Sequence, residues 1–219
     1  MKKTNKTNKK QVAAWLLSLL PFVMIAAVYR RLPAEVPMHW DFGGEVEYSA
    51  KAQLWMMAAM SPVLEAIFCF LPKFDPKNRN YAKFGDAYLG LQLVIMLFVA
   101  AMTGICITEA LRPGTFHVSG VVCLLVSLLM VYSGNVMPKF RMNWHFGFRT
   151  PWALSSEQVW TRTQRVSGRL LFVAGLIGAA GSFAPSETAK FVLLFVPLAL
   201  AVGISLVMSW KFYCEENRK

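Results

Sequence analysis

Hydrophobic positions in this chain fall into long blocks separated by short polar segments. Six blocks have the length, or nearly the length, of a membrane span: 12–29, 54–71, 88–108, 117–136, 169–184 and 189–210. A transmembrane helix needs about 20 predominantly apolar residues, and the alternating ten-residue pattern of transmembrane strands is absent. Because helices satisfy their own backbone groups in lipid, the pattern predicts an all-α polytopic membrane protein with six transmembrane helices.

The composition supports this class. Of the 219 residues, 56% are hydrophobic and 16% are charged, whereas soluble domains carry about 25% charged residues. The lipid bilayer is therefore an expected partner. The three histidines show no metal-binding spacing and the four cysteines form no C-x-x-C pair. We expect no metal site and no cofactor.

The net charge of +11 is explained by topology. If the N-terminus is cytoplasmic, most Lys and Arg residues fall in the inner segments, as the positive-inside rule requires. The sequence therefore predicts that both termini are cytoplasmic, and it indicates no direct binding to nucleic acid. Residues 1–29 also resemble a signal peptide, but the long apolar run and the following Arg30-Arg31 favour an uncleaved anchor.

Two extramembrane segments stand out. The first, between spans one and two, contains Pro33 and Pro37, which favour an extended chain, and a predicted turn at "DFGGE". The second is the inner basic loop 135–168. Its first half is interrupted by Pro138, Gly147 and Pro151, and we expect it to be irregular.

The second half of the basic loop predicts a helix from about Ser156 to Gly168, with Ser155 as the N-cap. An apolar face lies beside a stripe of arginines, which predicts an interfacial amphipathic helix before the fifth span. Three tryptophans suit headgroup depth: Trp144, Trp152 and Trp160.

Glu65 is the one acidic residue inside a predicted span. Intramembrane acids are functional candidates, but no base in mid-membrane accompanies it, which favours a structural hydrogen bond. A small-solute or peptide transporter remains an alternative class, and a membrane enzyme acting on lipid or peptide is another.

Two stretches carry a family resemblance. "LPAEVPMHWDFGGEVEYSAK" (32–51) resembles the outer loop of the DUF1648 domain, and "GNVMPKFRMNWHFGFRTPWALSSEQVWTRTQRVSGR" (134–169) resembles the signature of the SdpI family of bacterial immunity proteins. The resemblance divides the chain into a DUF1648-like segment, 1–72, and an SdpI-like membrane domain, 73–219.

The resemblance implies a multi-pass protein of the bacterial cell membrane that is not an enzyme and protects against a secreted toxic peptide. It also implies a cytosolic transcriptional repressor held at the inner face. Candidate toxin contacts in the outer loop are Pro33, Pro37, His39, Trp40, Asp41, Gly43 and Tyr48. Candidate signature and partner-binding residues on the inner side are Asn135, Pro138, Arg141, Asn143, Trp144, Gly147, Arg149, Thr150, Pro151, Trp152, Ser156, Glu157, Trp160, Arg165 and Gly168.

Overall fold

The computed structural model describes residues 2–40 and 45–218, with the backbone alone for residues 2–8. Helices and one β-hairpin make up the described chain. In order they are α1 (Lys2–Ser18), α2 (Leu20–Val28), β1 (Glu35–Trp40), β2 (Val46–Ala50), α3 (Gln53–Phe74), α4 (Tyr81–Leu111), α5 (Val118–Val136), α6 (Glu157–Gly181) and α7 (Glu187–Glu216). Short 3-10 turns at Asn78–Asn80 and Met137–Lys139 precede α4 and follow α5.

The all-α polytopic architecture is confirmed. Within the described residues, five helices are long and apolar enough to cross a membrane. They are Lys9–Val28, Gln53–Phe74, Asn78–Leu111, Val118–Lys139 and Glu187–Glu216. Each coincides with one of the six predicted spans; the fifth predicted span, 169–184, lies in α6, which is not among the five.

The prediction of a separate interfacial helix before that span is wrong. Helix α6 continues without a break from Glu157 to Gly181, and the apolar side of its first turns is covered by protein. Val159 and Trp160 are each 1% exposed. The N-cap is Ser156, whose Oγ accepts from Val159 N at 3.1 Å. Ser155, the predicted cap, instead donates to Trp152 O at 2.7 Å.

Helix α6 packs between α5 and α7, and glycines bring its backbone against α5. A Cβ at Gly134 would lie 2.5 Å from Phe172 N, and a Cβ at Gly168 would lie 2.7 Å from Gly134 O. Gly175 makes a third close approach, since its Cβ would lie 2.8 Å from Ser127 O. Small residues of this kind let transmembrane helices approach closely.

The segment between spans one and two forms the antiparallel β1–β2 hairpin. The extended conformation predicted from Pro33 and Pro37 is confirmed, and Val36 anchors the hairpin because its side chain is fully buried. The ladder is irregular between Pro37 and His39. The turn predicted at "DFGGE" lies largely outside the described residues, which omit 41–44.

The α5–α6 contact predicts a sharp difference between two glycine substitutions. Gly134→Ala places a methyl group against backbone atoms of α6, and overpacking of this kind costs about 1–3 kcal/mol. Gly203→Ala is the matched control, because a Cβ at this helical position meets nothing within 4 Å. We expect the first variant to unfold at lower temperature in detergent and the second to keep or raise the wild-type value. Equal behaviour of the two would contradict the close contact.

Candidate functional site

The bundle has two ends with different extramembrane structure. The hairpin end carries β1–β2, the α4–α5 turn (112–117) and the α6–α7 turn (182–186). The signature end carries the α3–α4 connection (75–80), the C-terminus of α7, and the signature loop, which we define as residues 137–156. The candidate residues of the two resemblances that the structure describes lie towards opposite ends of the bundle.

A groove runs across the hairpin end. A cavity of about 540 Å³ lies between the α4–α5 turn and the α6–α7 turn, and a second of about 300 Å³ lies between the former turn and the hairpin. Phe116, His117 and Glu187 line both cavities, so the two are adjacent. We call them together the hairpin-end groove.

Two acidic side chains, Glu109 and Glu187, make hydrogen bonds within the walls of the groove. Glu109 is 8% exposed and accepts from the backbone of the α4–α5 turn, from Gly114 N at 2.8 Å and from Phe116 N at 2.7 Å. The turn needs the left-handed φ of +79° at Gly114. On the opposite wall, Lys190 is 6% exposed and donates to Glu187 Oε1 at 2.7 Å. The groove is thus an apolar and aromatic surface with positioned charges.

Part of the predicted toxin-contact set reaches this groove. Pro37, Trp40 and Tyr48 line it, whereas Pro33 and His39 are exposed and lie outside its lining. Asp41 and Gly43 lie outside the described residues.

Sequence reasoning missed the opposite walls of the groove. Phe116 and His117 come from the α4–α5 turn, and Lys190 comes from the N-terminal part of α7. The sequence signal for the first two is the short aromatic "TFH" after Pro113-Gly114, and Lys190 has none.

At the signature end, Asn143 organises the irregular loop. Its side chain is fully buried. Nδ2 donates to Arg141 O at 2.9 Å and Phe146 O at 3.1 Å, and Oδ1 accepts from His145 N at 2.9 Å and Phe146 N at 2.6 Å. One amide therefore satisfies four backbone groups of a segment that has no regular structure.

Asp75 joins this loop to the α3–α4 connection, and sequence reasoning did not identify it. Asp75 is 2% exposed. Its carboxylate accepts from Lys77 N at 2.7 Å, Tyr81 Oη at 2.9 Å and Trp144 N at 2.9 Å. Asn80 adds a bond from Nδ2 to Met142 O at 2.8 Å. An Asp after an apolar span is typical of an ordinary loop, so the sequence did not predict this contact.

Helix α6 holds the loop from the other side. Gln164 is fully buried and exchanges two 2.9 Å bonds with the backbone of Phe148. Gly147 lies against the same amide and has a left-handed φ of +98°. A Cβ at this position would lie only 2.5 Å from Gln164 Oε1. Trp160 Nε1 donates to Phe140 O at 2.8 Å. The ring of Trp160 therefore packs in the protein interior and does not face the lipid.

Helix α7 makes side-chain contacts with the signature loop and with the start of α6. Thr150 Oγ1 lies 2.5 Å from Ser209 Oγ and accepts from Ala153 N at 3.0 Å. Ser156 Oγ donates to Glu216 Oε2 at 2.6 Å, and Arg162 pairs with Glu215 at 2.6 Å. These bonds fasten the segment from Thr150 to Arg162 to the last helix.

Burial divides the predicted inner residues into two groups. Asn143, Thr150, Trp160 and Gly168 are buried, and Gly147, Trp152 and Ser156 are half-buried. The exposed group contains Asn135, Pro138, Arg141, Trp144, Arg149, Pro151, Glu157 and Arg165. The first group builds the loop, and only the second presents itself to another molecule.

Glu65 makes the structural hydrogen bond that its isolation predicts. It is fully buried in α3 and accepts from Gln11 Nε2 at 2.5 Å, with Cys69 Sγ at 3.7 Å. The bond ties α1 to α3 within the membrane-spanning region. The bonds satisfy Oε1 of the carboxylate, whereas Oε2 is buried without a hydrogen-bond partner.

These features define a multi-pass α-helical membrane protein with one structured segment at each end of the bundle. Residues 139–209 match the SdpI/YfhL protein family, and residues 16–61 match the domain of unknown function DUF1648. The chain is also similar to the immunity protein SdpI of Bacillus subtilis (strain 168), at 23% identity over 209 residues, which cover 95% of this chain and 98% of that protein. No solved structure matches. The resemblance to the SdpI family, with a DUF1648-like segment before it, is confirmed.

The role of Asn143 is testable by proteolysis. Asn143→Ala leaves four buried backbone groups without partners, and each loss of this kind costs about 1–3 kcal/mol. Local opening of the signature loop should raise the rate of tryptic cleavage at the exposed Arg141 and Arg149 by roughly tenfold or more. Asn135→Ala, at an exposed position of α5, is the control and should leave the rate unchanged. Unchanged cleavage in both variants would show that the loop does not depend on Asn143.

Proposed function

We propose that this protein is a membrane immunity protein that protects a bacterium against a secreted toxic peptide. The hairpin-end groove carries the proposal, together with the similarity to an immunity protein along nearly the whole chain. In this role the protein binds the peptide and performs no catalysis.

The groove suits a peptide segment by size and chemistry. Its two adjacent cavities, about 540 and 300 Å³, fall in the range of about 300–1,000 Å³ that is typical of ligand pockets, a size that accommodates a few side chains of a peptide. Trp40 and Phe116 supply aromatic surface, and aromatic side chains are favoured anchors of peptide interfaces. The Glu187–Lys190 pair provides polar contacts at a fixed position.

The charge distribution supports an orientation in which the hairpin end faces outward and both termini are cytoplasmic. A secreted peptide then reaches the groove directly. The signature end faces the cytoplasm, where a small transcriptional repressor has access to it.

We propose the exposed residues of the signature loop as the repressor surface. Arg141, Trp144 and Arg149 are exposed, and side-chain bonds from Asn143 and Asp75 hold the backbone at the first two. Arginine and tryptophan on a rigid support are typical binding hot spots.

Protection assays test the groove. A sensitive host carrying the wild-type chain is challenged with secreted toxic peptides from related strains, and the peptide against which it protects is used for all variants. Trp40→Ala with Phe116→Ala should lower the protective effect by about tenfold or more, because two aromatic anchors are lost. His39→Ala, exposed on the same hairpin outside the groove, should protect as wild type does.

A photo-crosslinking amino acid separates binding from indirect effects. Placed at Tyr48 in the groove it should capture the peptide, and placed at Trp144 at the signature end it should not. Full protection by the Trp40, Phe116 double variant, or protection by wild type against none of the peptides, would contradict the proposal.

A further inference from the structure

The lipid-facing side of α6 changes character along the helix. Arg165 and Arg169 are exposed one turn apart on one face. The same face continues with Val173 and Leu176, which are 52% and 50% exposed. Since α5 and α7 pack on the other sides of α6 and are long and apolar enough to cross a membrane, this exposed face would meet lipid, and the two arginines stand where it turns apolar.

Contacts with α7 give the depth of these arginines. Arg162 stacks on Phe212 at 4.1 Å, and Gly178 lies against Leu194. Because α6 and α7 run antiparallel, counting inward from both contacts places Arg169 level with residues 203–205 of α7.

That level lies inside the apolar zone of α7. The exposed residues there are Val202, Ile204, Leu206 and Val207, at 43%, 45%, 43% and 64%. The polar boundary of α7 comes later, at Trp210 and the exposed Lys211. At 1.5 Å per residue, Arg169 is roughly 9–12 Å deeper than Lys211.

An arginine at this depth needs an anion or water. A charged side chain in hydrocarbon costs at least about 2.5 kcal/mol, and snorkelling toward the interface relieves only part of that cost. The nearby acid of α7, Glu215, is engaged by Arg162 at 2.6 Å. Among the described residues, no ion pair involves Arg165 or Arg169.

We propose that Arg165 and Arg169 form a binding site for the phosphate of an anionic phospholipid, drawn inward along α6. The guanidinium groups donate in forked pairs to phosphate oxygens, which lysine does less well. We assign the ligand as a lipid, because an acidic soluble protein does not reach a position below the headgroup level. Arg165, a partner-binding candidate by sequence, is thus assigned to the bilayer.

Native mass spectrometry of the purified full chain tests the site. The protein is released from micelles that contain equal amounts of phosphatidylglycerol and phosphatidylcholine, and the retained lipids are counted. Wild type should retain phosphatidylglycerol in preference to phosphatidylcholine. R165Q/R169Q should retain it about tenfold more weakly, because two charge-assisted contacts are lost.

R79Q/K83Q is the matched control, since it removes the same charge from exposed positions on the same end of the bundle. It should retain the lipid as wild type does. R165K/R169K should retain phosphatidylglycerol more strongly than the glutamine variant and more weakly than wild type. Lysine keeps the charge but lacks the paired N–H donors of the guanidinium group. Inorganic phosphate should not displace the lipid, because the acyl chains hold the headgroup at the site.

Three results would overturn the proposal. Wild type that retains both lipids equally would exclude an anionic site, and this outcome needs no variant. Equal weakening by R165Q/R169Q and R79Q/K83Q would indicate diffuse attraction to the basic end. Displacement by inorganic phosphate would assign the arginines to a soluble anion.

Discussion

The direct backbone contact between α5 and α6 at Gly134 and Gly168 determines the arrangement of the second half of the chain. With no side chain between the helices, α6 comes close enough for Gln164 and Trp160 to reach the backbone of the signature loop. The same packing of α6 on α5 leaves Arg165 on the exposed side of α6. Packing, loop structure and the charged exterior therefore depend on one contact between small residues.

Rigidity at the signature end follows from buried polar groups rather than from regular structure. Asn143 and Asp75 satisfy backbone groups that a helix or sheet would otherwise pair. The loop can therefore hold Arg141 and Trp144 in fixed positions while remaining irregular. At the hairpin end, Glu109 does the same for the turn that carries Phe116. Both ends are built to present side chains, and the helices between them keep the two surfaces apart.

Periodicity and charge predicted the helices and the membrane class because lipid imposes a length and a composition on every span. They failed for α6, since an amphipathic pattern does not show whether the apolar face meets lipid or protein, and Trp160 meets protein. The resemblance identified Asn143 and Gly147 as signature positions, and the structure supplies the physical reason for both. Asp75 and Phe116 were not predictable, because each acts through a contact with a distant segment.

The most direct test of the central claim, that the groove faces outward and the signature loop inward, is labelling by a membrane-impermeant maleimide. In a variant whose four cysteines are replaced by serine, single cysteines are introduced at His39 and at Trp144, both exposed. The cysteine at 39 should react in intact cells, and that at 144 should react only after the membrane is opened. Reaction at 144 in intact cells, with protection at 39, would contradict the proposed orientation and with it the access of a secreted peptide to the groove.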